Sequence, residues 1–247
     1  MGKLYLVSTG PGALDMIVPR AIRALESSSV IVGHQLYLDL IQPLIKGKQQ
    51  LSTPLGQEIE RVDIAIQKSM EENTVSLISS GDSGVYGLAG LAFERLRQQG
   101  LMIDMEVIPG VTSATASASL LGAPLSHDFV ALSLSDILVP RETILKRAES
   151  ACAGDFVTVL YNVQSARRQG LIYEVLEKFK PGRSPKTPCG IVVNAYRPGE
   201  KHHIAAFAEL FTMNFDMLTT LVIGNSATFV YQDRMVTQRG YLNGAGK

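Results

Sequence analysis

The chain has 247 residues, 46% hydrophobic and 19% charged, which is ordinary globular composition with room for two α/β domains. Lysine plus arginine and aspartate plus glutamate both number 23, so no whole-molecule field exists to hold nucleic acid or an anionic membrane. Cys152 and Cys189 stand far apart without a CxxC or Cys/His cluster, so neither a disulfide framework nor a metal is expected.

The start of the chain carries no basic leader with a hydrophobic core, and nowhere do eighteen apolar residues run together, so a soluble cytoplasmic protein is expected. Leu4-Tyr5-Leu6-Val7 predicts a first strand, ending in the tight loop Ser8-Thr9-Gly10-Pro11-Gly12. Pro19 suits the first position of a helix over 20–26. A strand follows at Val30-Ile31-Val32, then a helix around 37–44 and an amphipathic helix over 57–70. In the latter, Ile59, Val62, Ile66 and Met70 recur at helical spacing and are expected in the core.

Thr74-Val75-Ser76-Leu77-Ile78 predicts a strand and 88–99 a helix, with Ser79-Ser80-Gly81-Asp82-Ser83-Gly84-Val85-Tyr86-Gly87 as the loop between them. In an open parallel sheet such a loop lies outside the carboxyl end of its strand, where ligands bind. Its glycines let the backbone approach a bound molecule closely. A phosphate loop would carry a lysine; this one has no cation and instead has Asp82. A carboxylate there repels phosphate and accepts hydrogen bonds from ribose hydroxyls or an ammonium group, which suits a cationic nucleoside such as S-adenosylmethionine. The other role open to Asp82 is to cap the following helix.

Asp104-Met105-Glu106-Val107-Ile108 predicts a further strand, broken at Pro109-Gly110 and followed by a helix of small residues over 111–118 that can pack closely on a sheet or a ligand. Gly122-Ala123-Pro124 punctuates the middle of the chain and sets two domains, 1–118 and 119–247. The second half reads as strands at 129–133, 156–160, 190–193 and 221–224, and helices at 141–151, 165–179 and 207–211. An edge strand and a loose tail over 231–247 complete it.

In order, Ser8-Thr9-Gly10-Pro11-Gly12, Gly81-Asp82-Ser83-Gly84-Val85-Tyr86-Gly87, Pro109-Gly110-Val111-Thr112-Ser113-Ala114 and Leu160-Tyr161-Asn162 resemble the tetrapyrrole methylases, S-adenosylmethionine-dependent enzymes of siroheme and cobalamin synthesis. Gly122-Ala123-Pro124-Leu125-Ser126-His127-Asp128-Phe129, Ser133-Leu134-Ser135-Asp136, and Asp216-Met217-Leu218-Thr219-Thr220 with Ile223-Gly224-Asn225-Ser226 look like the members that methylate C-17 of precorrin-3B or cobalt-precorrin-3 during corrin ring contraction. The resemblance covers 4–226, with two departures: Ser8 stands where the family usually has glycine, and Ser83 where a proline often follows the loop aspartate.

The resemblance implies two α/β domains with the cofactor in a cleft between them and a tetrapyrrole substrate alongside. Carried over position by position, the S-adenosylmethionine pocket comprises Pro11, Ser80, Gly81, Asp82, Val85, Thr112, Ser113, Asn162 and Ala195, with Thr219 nearby. It also implies a homodimer. Methyl transfer needs a nucleophilic carbon held in line with the methyl group, and positioning supplies much of the barrier reduction. For the proton lost in ring contraction, His127 and Asp128 are the candidates, the alternative being a capped turn. A polyanionic ring needs local cations. Arg20, Arg141, Arg167, Arg168 and Arg197 are available, and Arg141 and Arg167, which follow strand ends, are the substrate-ligand candidates among them, the alternative for each being plain solvated surface charge. Methylation at another ring position, or a non-catalytic nucleoside- or tetrapyrrole-binding protein, are the other readings.

Overall fold

The computed structural model describes residues 2–165, 168 and 170–241. Packing divides the chain into two compact units, one up to Ser113 and one from Ala114 on. The first contains β1 (Lys3–Ser8), α1 (Pro19–Ser27), β2 (Val30–Gly33), α2 (Gln35–Leu40), α3 (Gln42–Ile45), β3 (Gln49–Ser52), α4 (Glu58–Met70), β4 (Thr74–Ser79), α5 (Ala89–Gln99) and β5 (Asp104–Ile108). Its strands form one parallel sheet in the order β3-β2-β4-β1-β5.

Alternation along the strands sends neighbouring residues to opposite faces. Leu4, Leu6, Val75 and Leu77 pack with Val62 and Ile66 of α4 and Ala92 and Leu96 of α5, whereas Val7, Ile31, Ile78 and Ile108 pack with Ala21 and Leu25 of α1 and with Leu38 of α2. The helix that follows β1 therefore covers one face and the helix that follows β4 the other. β1 and β4 are neighbours, so the sheet reverses its winding between them, the place where open α/β sheets bind ligands.

The expected core stripe of α4 is corrected in part. Val62 and Ile66 are buried, but Ile59 and Met70 are 56% and 49% exposed. At about 100° per residue those two fall on the rim of a face whose centre is Val62, Ala65, Ile66 and Ser69. Arg61 is buried beside them because its guanidinium donates to the carbonyls of Thr53 (3.0 Å) and Pro54 (2.9 Å), and burial lowers its pKa. Strand β3, Gln-Gln-Leu-Ser, has no apolar signature and forms by pairing with the edge of β2.

The second unit contains α6 (Ser113–Leu121), in which the expected boundary after residue 118 falls, and β6 (Gly122–Ala123), β7 (Phe129–Ser133), α7 (Arg141–Ala153), β8 (Val157–Tyr161) and α8 (Leu171–Phe179). It continues with β9 (Pro188–Val193), β10 (Lys201–Ala206), β11 (Thr219–Ile223), β12 (Thr228–Tyr231) and β13 (Arg234–Thr237). The main sheet runs β10-β9-β11-β8-β7, with β7 and β8 parallel, β11 antiparallel to β8 and β9, and β10 antiparallel to β9; β12, β13 and β6 form a small second sheet. Helices α7 and α8 bury Ile144, Leu176 and Phe179 against one face, and Ala114 and Leu121 of α6 join Val159, Val192 and Met235 on the other.

Helix α8 starts later than the expected 165, because Gly170, at φ 91°, is its N-cap. The polar run Lys201-His202-His203 hid β10, an edge strand. Among the described residues no helix is long and apolar enough to cross a membrane.

Both cysteines are buried, and burial pushes the Cys189 thiol up to about 12. At pH 8 only about one such thiol in ten thousand is ionised. The native protein should therefore resist a thiol-disulfide reagent that titrates both cysteines in guanidinium; a fast-reacting native thiol would contradict this burial.

Candidate functional site

The loops after β1, β4 and β5 leave the carboxyl end of the first sheet side by side. Thr9 N–H donates to Ser79 O (2.9 Å), Gly10 N–H to Gly81 O (3.1 Å) and Gly81 N–H to Gly10 O (2.7 Å). The last two bonds make an antiparallel bridge between loops whose strands run parallel. The reversal needs left-handed backbone, supplied by Gly10 at φ 69° and Gly81 at φ 67°. Gly110 is needed for a different reason: a Cβ there would stand 2.5 Å from Gly81 O and 2.6 Å from Ser8 Cβ, so the third loop lies against the bridge only with no side chain.

Two side chains fasten the three loops. Ser8, fully buried, donates its hydroxyl to Ile108 O (2.6 Å) and accepts the Ser83 N–H (2.8 Å), with the Ser83 hydroxyl 3.1 Å away. Asp82 accepts the Gly84 N–H on Oδ1 (2.8 Å) and the Gly110 N–H on Oδ2 (2.9 Å). The helix-cap role considered for Asp82 is thereby corrected, since the N-cap of α5 is Leu88. Asp82 instead braces the second loop against the third. Each carboxylate oxygen keeps acceptor capacity for a ligand.

Pro11, Ser80, Gly81, Asp82, Val85, Thr112 and Ser113 all fall on or directly after these loops. Val85 and Tyr86 stand exposed at the tip, and Tyr86 holds φ 55°, an uncommon conformation for a bulky residue of the kind that gathers at ligand sites. Residues 9–13, 80–87 and 109–112 include no lysine or arginine. Arg20 is engaged by Glu106, Nε to Oε1 at 2.8 Å, which holds that carboxyl below its ordinary pKa. A platform of bare backbone and one carboxylate, with no cation, fits a cationic nucleoside and not a phosphate.

In the second unit, strand pairing gathers another three of the expected residues. Asn162 follows β8, Ala195 lies just beyond β9 and Thr219 opens β11; Thr219 pairs with Val193 and Leu221 with Leu160, so all three sit at one end of the sheet. Asn162, at φ 52°, donates from Nδ2 to Ser133 Oγ (2.9 Å), and Thr219 donates to Asp216 Oδ1 (2.7 Å). The guanidinium of Arg168 donates to Asn162 O and lies 3.6 Å from Asp136. Sequence reasoning treated Arg168 only as a loop cation and missed this bracing role; the one available signal was its closeness to Asn162 in the chain.

His127 and Asp128 are not brought to that end. They precede β7, whose five residues span roughly 17 Å at about 3.3 Å each, and Ser133 beside Asn162 is its far end. His127 Nδ1 accepts the Asp128 N–H (2.7 Å), so the pair is a local turn leading into the strand. It lines a cavity of ≈ 380 Å³ with Asp155, Ser226 and Arg239. The pair thus stands at the opposite end of β7 from Ser133 and Asn162.

Arg141, at the start of α7, is clamped in a two-pronged contact with Glu174 of α8, with Nε 2.9 Å from Oε2 and the second nitrogen on Oε1. Arg167 lies outside the described residues. Among the described residues no group of His, Cys, Asp and Glu is placed to hold a metal.

The family model for Tetrapyrrole (Corrin/Porphyrin) Methylases matches residues 3–210. A Salmonella typhimurium protein named probable cobalt-factor III C(17)-methyltransferase is 38% identical over 96% of this chain and 99% of its own. The cobalt-factor III methyltransferase of Priestia megaterium is 43% identical over 97% of this chain; the chain spans 45% of that relative's length. Among solved structures, the methyltransferase CobJ matches with a TM-score of 0.90 at 30% identity, over 96% of this chain and all of that one. Uroporphyrin-III C-methyl transferase from Thermus thermophilus, complexed with S-adenyl homocysteine, matches with a TM-score of 0.67 at 25% identity, over 90% of this chain and 97% of that one.

Replacing Asp82 removes the acceptor of the Gly84 and Gly110 N–H groups, so Asp82→Ala should lower the ligand-free unfolding free energy by about 1–3 kcal/mol. Denaturant unfolding of the unliganded protein measures it, and an unchanged midpoint would deny Asp82 its bracing role.

Proposed function

The chain belongs to the tetrapyrrole (corrin/porphyrin) methylases, and from that premise we propose that it transfers a methyl group from S-adenosylmethionine to C-17 of precorrin-3B or cobalt-precorrin-3, coupled to ring contraction in cobalamin biosynthesis. The observation that carries this reading is the cation-free platform of the first unit, backed by Gly10, Gly81 and Gly110 and edged by Asp82. The near end-to-end match with the Salmonella typhimurium relative supports the position methylated, and the names of the relatives favour the cobalt-loaded ring.

S-adenosylmethionine supplies an electrophilic methyl group when bound; the chain has to hold it and keep repelling charges away. Pro11, Ser80, Gly81, Val85, Thr112 and Ser113 offer mainly backbone and small polar groups for that purpose. The outward lone pairs of Asp82 suit ribose hydroxyls, and the absence of Lys or Arg from the loops leaves the sulfonium unopposed. The proposed contacts of the second unit are Asn162, Ala195 and Thr219. For the carboxylates of the substrate the proposed partners are Arg141, which has to release Glu174 first, and Arg167. With donor and acceptor carbon fixed in line, positioning accounts for most of the rate.

The reading includes a cytoplasmic homodimer, for which exposed Phe229 and Tyr231, on one face of β12, offer an apolar patch. Sedimentation should give a species of twice 26.7 kDa; a 26.7 kDa species at micromolar concentration would refute the dimer.

Incubation with methyl-labelled S-adenosylmethionine and metal-free or cobalt-loaded ring substrates, followed by mass spectrometry and NMR, tests the activity. One labelled methyl at C-17 of a contracted ring is expected. Label on uroporphyrinogen alone, or at another carbon, would overturn the assignment.

A further inference from the structure

Ser8 and Ser83 are 0% and 1% exposed, too deep to touch a ligand, yet both are polar. The large majority of hydroxyls buried this far are hydrogen-bonded. A serine hydroxyl has one proton and two lone pairs. Ser8 gives the proton to Ile108 O at the end of β5 and accepts the N–H of Ser83 in the second loop. One oxygen atom on β1 thus joins the three segments from which the platform loops spring.

Ser83 passes the constraint on in two directions. It is the second residue of the turn closed by Val85 N–H on Asp82 O (3.1 Å), so its backbone sets the plane of Asp82. Its own carbonyl accepts the Ala89 N–H (3.0 Å) at the first residue of α5. A displacement of Ser83 therefore carries Asp82 and the start of the helix with it.

We propose that Ser8 is a positioning residue of the methyl-donor site, holding the Gly81–Gly87 loop in its ligand-ready shape through the backbone N–H of Ser83. This rests on the donor site proposed above. The geometry makes an unusual demand on position 83. Proline suits the second position of such a turn, but it has no N–H to give Ser8, and its ring carbon would replace that hydrogen on a nitrogen 2.8 Å from Ser8 Oγ. Removing the Ser8 side chain clears the space. Proline at 83 should thus be harmful beside serine at position 8 and tolerated beside glycine.

The test measures S-adenosylhomocysteine affinity by calorimetry and ligand-free thermal unfolding for wild type, Ser8→Ala, Ser83→Pro and the double variant Ser8→Gly with Ser83→Pro. Ser8→Ala should weaken binding about tenfold, in line with one buried donor left unpaired, and raise KM for S-adenosylmethionine while leaving kcat at saturating donor unchanged. Ser83→Pro should weaken it further, and the double variant should return to within about threefold of wild type, by the same reckoning. Binding by Ser8→Ala within about twofold of wild type, whatever its melting temperature, would overturn the positioning role, as would a double variant no better than Ser83→Pro. If Ser83→Pro does not fold, Ser8→Ala decides alone. Wild-type protein that binds no S-adenosylhomocysteine would overturn the donor-site reading itself, a result distinct from unaltered variants of a binding wild type.

Discussion

Gly10 and Gly81 exchange two backbone hydrogen bonds although the strands they extend run in the same direction. Parallel neighbours normally diverge into separate crossover connections at this end. Here the chain turns back on itself from both strands at once and closes the gap, which only left-handed backbone permits. Once that bridge exists, its outer surface is peptide and not side chain, Gly110 can lie against it, and Ser8 and Asp82 need reach only a few ångströms to fasten the rest.

The electrostatics follow from that packing. With the approach made by backbone, the platform's one formal charge is Asp82, already partly neutralised by the N–H groups of Gly84 and Gly110. Cations are kept occupied elsewhere: Arg20 by Glu106, Arg141 by Glu174 and Arg168 by Asp136 and Asn162 O. A chain with no net charge can thus present a locally anionic surface to a cationic nucleoside without a large field anywhere.

Strands buried on both faces announced themselves, since Leu4-Tyr5-Leu6-Val7 and Thr74-Val75-Ser76-Leu77-Ile78 have no stable place except inside a sheet. The glycine loops were equally legible, because cation-free glycine runs after apolar strands have few other uses. Edge elements were not: β3 and β10 are polar, and they exist through their pairing partners, which local pattern does not encode. Ile59 and Met70 shared the period of a buried stripe, but its centre is set by what α4 packs against. His127 and Asp128 suggested chemistry because of their residue types; that they lie at the opposite end of β7 from Asn162 is decided by topology, far from the pair itself. The departures Ser8 and Ser83 looked independent in the sequence. In space they are partners, each supplying the atom the other needs, and nothing in a linear reading joins positions so far apart.

The strand order β3-β2-β4-β1-β5 also governs how the molecule comes into being. The first strand of this sheet to be synthesised takes its place between β4 and β5, the last two. Ser8 waits for Ile108, 100 residues further along, an interval of roughly 5–20 s at ordinary translation rates. Until β4 is made the N-terminal apolar strand has neither of its neighbours, until β5 is made it has only one, and no fragment ending before Gly110 can possess the ligand platform. Binding competence is thus the final event of this unit's assembly, since the platform's last strand and loop are the last parts of the unit to be made.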